Sequence, residues 1–282
     1  MIFIIDLLET YYGFDSFNIL YKSDNKNVIK NNDKIYYFEK IENIDEVYEQ
    51  YSLTRNIQYF YKFIANKNNS IFTEYNGKNY VLLLVNNGYT SNIIFPIFIE
   101  NNKKLEWRNL WIQRIEYIEN YVRDKNEYLL IFESIDYYIG LFELAIFYLG
   151  GDGEYYGDYY LQHKRFNYDD LYNPLNIKKD FRERDFAEYL KYIFYNGEYK
   201  NIDIHNLLLE NKNNYNFNLV LARVLYPNYY FDLVDDIILN NSNENDLNDI
   251  INKNKEFEDY IRQLIKEISL IYPIKKISFM RF

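Results

Sequence analysis

Residues 178–190 read KKDFRERDFAEYL, and just upstream residues 161–166 read LQHKRF. Asp180, with Asp185 five positions on at the head of a helical run, is an arrangement able to build the metal-binding end of a phosphoryl-transfer site, because Mg²⁺ takes oxygen ligands. The same residues also suit plain architecture. Asp185-x-x-Glu188 is an acidic variant of the capping box, in which the Asp side chain accepts a first-turn N–H and Glu188 reaches back. Asp180 is open to metal contact or to simple turn chemistry.

Composition narrows the field. The 282 residues allow two lobes or one large α/β domain. A net charge of −10 argues against a generic nucleic-acid surface, since phosphate contacts need clustered Lys and Arg. The absence of cysteine excludes disulfides, thiol nucleophiles and thiolate metal sites. The start, MIFIIDLLETYYGF, lacks a basic n-region and a small-residue cleavage site, and no run reaches the roughly 20 apolar residues of a membrane span. A soluble chain made in the cytoplasm is expected.

Working outward, residues 1–85 read as a small sheet with one inserted helix. DLLETYYGF (6–14) suits a short helix, and SFNILYKS (16–23) and DKIYYFEKI (33–41) suit strands separated by the turn material DNKN and NNDK. From Asn43, residues Val47, Tyr51, Leu53, Ile57 and Phe60 make a helical stripe behind an acidic first turn. SIFTEYNGKNYVLLLVNN (70–87) reads as a hairpin around Asn76-Gly77.

Beyond NNGY (86–89) the pattern turns mainly helical. Trp107, Trp111, Ile115, Ile118 and Val122 share one face, YYIGLFELAIFYLG (137–150) supplies a strongly apolar helix, and GGDGEYYGD (150–158) interrupts it. Residues 218–239 read as a helix bent or broken near Pro227, residues 254–272 as another, and NNSNENDLND (240–249) as a loop. A β-rich lobe (1–85) followed by a larger helical lobe (86–282) is the α+β plan of the two-lobed protein-kinase-like fold.

Five stretches in this order, WIQRIEYIENYV, YYIGLFELAIFYL, HKRF, PLNIKKDFRERDFAEYL and LARVLYPNYYFD, resemble the YutH-type spore coat proteins. Those are relatives of CotS-type coat proteins and, more distantly, of aminoglycoside and choline phosphotransferases. The resemblance spans roughly residues 107 to 232. It implies a kinase-like fold, synthesis in the mother cell, a place in the endospore coat and coat proteins as partners. It also implies that Arg184, Asp185 and Glu188 buttress the active-site loop.

The kinase pattern H-x-D-x-x-x-x-N, with a second Asp on the next strand, maps without insertion onto His163, with Arg165 at the base position, Asp170 at the Asn position and Asp180 as the second Asp. Arg165 has no usable lone pair and stays protonated, so it cannot accept a substrate proton. Asp170 and Asp180 keep metal-capable carboxylates, but DFR replaces the familiar continuation. No glycine-rich phosphate loop occurs, and the acidic GGDGEYYG would repel phosphate. Lys34 and Lys40 are the candidate phosphate-facing lysines, with Glu46 or Glu49 as ion-pair partner; solvated surface charges are the plainer reading. His163 and His205 lack metal-ligand spacing and read as structural.

The expectation is a non-catalytic kinase-like coat protein acting through protein contacts, its Tyr-rich surface suited to interfaces. The alternatives are an atypical phosphotransferase using Mg-ATP through Asp170 and Asp180, or a nucleotide sensor without turnover.

Overall fold

The computed structural model describes residues 2–23, 25–86, 97–125, 128–150, 155–239 and 242–275. The chain forms two compact units, residues 1–93 with 167–178, and residues 94–166 with 179–282. A single cut after residue 85 has no place for the returning segment 167–178. Residues 87–89 of NNGY and 151–154 of GGDGEYYGD lie outside the described residues.

The first unit begins with α1 (Ile2–Leu7), which runs into a π-helical turn over Leu8–Tyr12 and stops at Gly13. Six strands follow, β1 (Asn18–Lys22), β2 (Lys26–Asn31), β3 (Lys34–Ile41), β4 (Lys62–Phe63), β5 (Thr73–Tyr75) and β6 (Lys78–Leu84), with α2 (Ile44–Thr54) between β3 and β4. The sheet order is β1-β2-β3-β6-β4, with β5 paired to β6. Alternation sends Ile29, Phe38, Tyr80 and Leu82 to one face, where Ile4 and Leu7 of α1 and Leu8 of the π-helical turn cover them. Val81 and Leu83 point to the other face, packing with Val47 of α2, Tyr61, and Tyr172 and Leu175 of the returning segment.

Two local expectations need correction here. The sequence reading left β2 out because its inward face carries Asn27 beside Ile29, so its alternation is only half apolar. The stripe from Asn43 runs to Phe60, yet the helix ends at Thr54, and a turn buries Phe60 instead. Asn43 caps that helix, its side chain accepting from the N–H of Glu46 at 3.2 Å.

The second unit contains β7 (Phe98–Lys104), α3 (Trp107–Lys125), α4 (Leu129–Leu149), β8 (Tyr156–His163), β9 (Ile177–Phe181), α5 (Glu183–Tyr195), α6 (Ile204–Glu210), α7 (Phe217–Leu225), α8 (Asn228–Ile238), α9 (Asn248–Ile251) and α10 (Asn254–Ile271), with the start of β9 lying in the returning segment. Trp107, Trp111, Ile115, Ile118 and Val122 are all buried, as their spacing predicts. Pro227, which has no N–H to give, separates α7 from α8.

The second unit is mainly helical, as expected, and also carries the sheet β7-β8-β9, which the sequence reading did not assign. Its strands hide behind polar residues: β7 reads FIENNKK, and β9 is only five residues long. The Asn-rich stretch 240–249 is not a loop throughout, since Glu244–Leu247 makes a 3₁₀ turn capped reciprocally by Asn243 and Asp246 and leads into α9. Residues 240 and 241 lie outside the described residues.

Gly77 in the β5–β6 turn has φ +70°, with nothing within 4 Å of a Cβ built there. Gly77→Ala therefore meets no clash, and its cost is the left-handed backbone alone, about 1–2 kcal/mol. Urea denaturation is expected to show that loss; an unchanged midpoint would mean that the turn relaxes freely.

Candidate functional site

In the second unit, β8 ends at His163 and β9 presents Asp180 just before α5. α5 is buried at nearly every position and carries Arg184, Asp185, Glu188 and Lys191 inward. Asp185 receives the backbone N–H of His163 at 2.6 Å on one carboxylate oxygen, and His163 Nδ1 lies 2.8 Å from the other. The guanidinium of Arg184 donates to the carbonyls of His163 and Lys164, both at 2.7 Å. The neighbouring Gln162 side chain accepts from the N–H of Asp185 at 2.9 Å. The loop after β8 is thus held by hydrogen bonds from one helix.

The capping box expected at Asp185 and Glu188 is corrected by this geometry. α5 begins at Glu183, so Asp185 already lies within the first turn and its carboxylate faces the His163 loop. Glu188 reaches Arg223 at 2.8 Å and Lys191 at 3.1 Å, and also receives Asn228 Nδ2 at 3.4 Å. Burial alone would raise the Glu188 pKa, but Lys191, Arg223, Arg165 and Arg184 outweigh it and hold the carboxyl well below its ordinary range. Burial lowers the pKa of Lys191, with repulsion from Arg223 and Arg165 adding to it and Glu188 opposing.

Asp180 is buried and occupied. One oxygen accepts Trp107 Nε1 at 2.8 Å and the Phe181 N–H at 2.9 Å, and the other accepts Arg184 at 2.9 Å. Arg165 donates through Nε to Asp232 at 3.0 Å and through a second nitrogen to the same oxygen. Arg114 reaches Asp232 at 2.8 Å and also pairs with Asp235. Burial works against the Arg165 charge, yet Glu188 and Asp232 raise its pKa on balance.

Asp170 belongs to the first unit, in the returning segment. It accepts Lys26 Nζ of β2 at 2.6 Å, and that ammonium sits 4.0 Å from the centre of the Tyr37 ring. Beside it, Asn173 donates to Glu39 of β3 at 2.9 Å. Burial is the largest influence on Glu39; Lys26 opposes it, and the pKa stands at about 7 rather than the ordinary 4.5. Gln50 of α2 secures the same segment, donating to the carbonyls of Leu175 at 3.0 Å and Ile177 at 3.3 Å.

The lysine beside Asp170 is therefore Lys26, and sequence reasoning had no signal for it within the turn-like DNKN. Lys34 is exposed, Lys40 lies 3.5 Å from Glu42, Glu46 is half-buried and Glu49 is exposed. His205, on α6, is exposed and contacts Glu267 at 2.9 Å. Trp107, Arg223 and Lys191 were also missed as site residues. Trp107 did carry a signal, because a buried indole N–H needs an acceptor.

These residues do not suit Mg-ATP. Asp180 faces a guanidinium and an indole N–H, Asp170 already holds an ammonium, and no group of three His, Asp or Glu able to hold a metal occurs among the described residues. A divalent cation would have to displace these internal partners.

A β-sheet unit, a mainly helical unit and a buried Asp bracing a His-containing loop define a kinase-like phosphotransferase fold. The chain is similar to an aminoglycoside phosphotransferase from Alicyclobacillus acidocaldarius subsp. acidocaldarius, with a TM-score of 0.53 and 10% identity over 93% of this chain and 96% of that one. At that identity the likeness concerns the fold alone. A spectinomycin phosphotransferase solved with ADP and spectinomycin gives a TM-score of 0.43 and 12% identity over 93% of each chain, a score that carries no argument. No curated protein matches the sequence. The family model described as "Spore coat putative kinase YutH" matches residues 5–266, and the chain belongs to this YutH spore coat family. No described helix is long and apolar enough to cross a membrane.

Two measurements follow from the buried charges. Glu188→Ala leaves Arg223 and Lys191 without their shared carboxylate and should cost about 3–5 kcal/mol in urea denaturation; a loss under about 1 kcal/mol would contradict the network. Glu39 has a folded pKa above its unfolded one, so the native state keeps a proton that the unfolded chain releases between pH 4.5 and about 7. The stability it contributes is complete below pH 4.5 and is lost as pH rises through about 7. Glu39→Gln should remove that slope, worth on the order of 3 kcal/mol; parallel pH profiles for the two proteins would refute it.

Proposed function

We propose that this YutH-family chain is a kinase-like coat protein that transfers no phosphate and serves endospore coat assembly by binding other coat proteins. Arg165 carries the reading. It stands where the kinase pattern needs a carboxylate, and it is engaged with Asp232. A group without a lone pair cannot take the acceptor's proton. The occupied carboxylates of Asp170 and Asp180 support the same conclusion. Synthesis in the mother cell and deposition in the coat accord with the family.

Reading the chain instead as a phosphotransferase or nucleotide sensor would require Asp180 to exchange Arg184 for a metal. Thermal unfolding in millimolar Mg²⁺-ATP separates these functions. Binding at about one hundred times the dissociation constant would add about 2.7 kcal/mol of stability. No shift is expected for the wild-type chain, and no phosphate should reach an aminoglycoside or a protein acceptor. A Mg²⁺-dependent shift lost in Asp180→Asn would replace this reading with a nucleotide-binding one, and turnover lost in the same variant would make the chain an enzyme.

A further inference from the structure

α4 is apolar nearly all round, and its only charged residues are Glu133, Asp136 and Glu143. One side is buried through Ile135, Tyr138, Leu141 and Ala145. A helix of that composition normally has its other side covered as well. Here that side is open, with Leu129, Phe132 and Phe147 exposed at 67%, 50% and 41%, and Asp136 and Glu143 exposed among them. At about 3.6 residues per turn these five positions and Gly140 fall within about 80° of one another, along about 27 Å of helix.

Charge points to what fits this stripe. α4 has no Lys or Arg, and Glu143 meets no cation among the described residues. Asp136 stands 3.6 Å from Arg123 of α3, both side chains being largely exposed, and such a pair is worth little in water. At the far end a cation has settled: Lys275 Nζ donates to the Phe147 carbonyl at 3.2 Å and lies 6.0 Å from the centre of the Phe147 ring. The stripe therefore accepts positive charge beside an exposed aromatic ring. Gly140 points the same way. A glycine inside a helix weakens it relative to alanine, and a Cβ built at Gly140 meets nothing within 4 Å among the described residues, so packing within the chain does not require it. Close approach of a partner backbone does.

We propose that the exposed stripe of α4 is a docking surface for a cationic amphipathic helix of another protein. That helix lays its apolar face on Leu129, Phe132 and Phe147, crosses close to Gly140, and sets Lys or Arg against Asp136 and Glu143. The inference rests on the coat-assembly reading and gives its partner a chemistry. Two copies of α4 meeting face to face would bring acid against acid, which favours a different chain over a second copy. An anionic lipid surface is disfavoured on the same ground.

The test titrates the full-length protein into a fluorescein-labelled helical peptide of about 18 residues, enough to span the stripe, with Leu at i, i+3, i+4 and i+7 spacing and Lys elsewhere. Two control peptides carry the same residues shuffled out of helical period, and the same helix with Glu in place of Lys. Saturable binding of the first peptide is expected, with both controls weaker by about tenfold or more. Phe132→Ala and Gly140→Leu change no charge, and each should weaken binding about tenfold. Gly140→Leu also installs a better helix former, so its urea midpoint should not fall. Asp136→Lys/Glu143→Lys should switch the preference from the Lys peptide to the Glu peptide, a gain that misfolding cannot imitate. Unchanged affinity in both neutral variants, or a preference that survives the charge reversal, would overturn the proposal. So would dimers in light scattering that Phe132→Asp dissociates, since they would assign the stripe to a second copy. None of these positions belongs to the His163 network. Missing peptide binding would therefore remove the docking surface alone, whereas a Mg²⁺-ATP shift would strike the coat reading without altering the titration.

Discussion

One helix sets the terms for the second unit. α5 takes Arg184, Asp185, Glu188 and Lys191 into the interior, and each meets a partner there: Asp180, the His163 loop, Arg223 and Asn228. Burying so many charges is costly unless every one is paired, and removing a single partner leaves the others stranded. The network therefore specifies an arrangement rather than adding raw stability. Strand β9, the loop after β8 and helix α7 must all sit correctly for the charges to balance.

This network gives the candidate site its character. A phosphoryl-transfer site keeps carboxylates available to metal and holds a proton acceptor near the nucleophile. Here the carboxylates face inward partners, and the Arg165 guanidinium is engaged with Asp232. The supporting bonds around His163 are complete, with Asp185, Arg184 and Gln162 each contributing.

Much of the fold was legible because long amphipathic patterns are hard to mistake. The stripe from Trp107 to Val122, the Asn76-Gly77 turn and the break at Pro227 all carry local signals. β2 and β7 escaped notice because Asn and Lys occupy positions that simple alternation reserves for apolar residues, and their neighbours supply the burial instead. In the candidate site, His163, Arg165 and Asp180 were found through the spacing of a motif. Lys26 and Glu39 were not, since their meeting with Asp170 and Asn173 joins residues more than 100 positions apart. The capping reading of Asp185 failed for a related reason: a local pattern fitted, but a distant backbone amide claimed the carboxylate.

The returning segment 167–178 has a consequence for dividing this protein. The chain passes from one compact unit to the other at 93/94, 166/167 and 178/179. No single proteolytic cut or truncation can release either unit whole, because a fragment ending at residue 93 leaves behind Tyr172 and Leu175, which belong to its own core. The polypeptide between residues 94 and 166 must also be synthesised before the first unit can receive its final strip. Completion of the sheet unit is thus deferred during translation, and its partly built form exists on the ribosome with one hydrophobic face still waiting for residues not yet made.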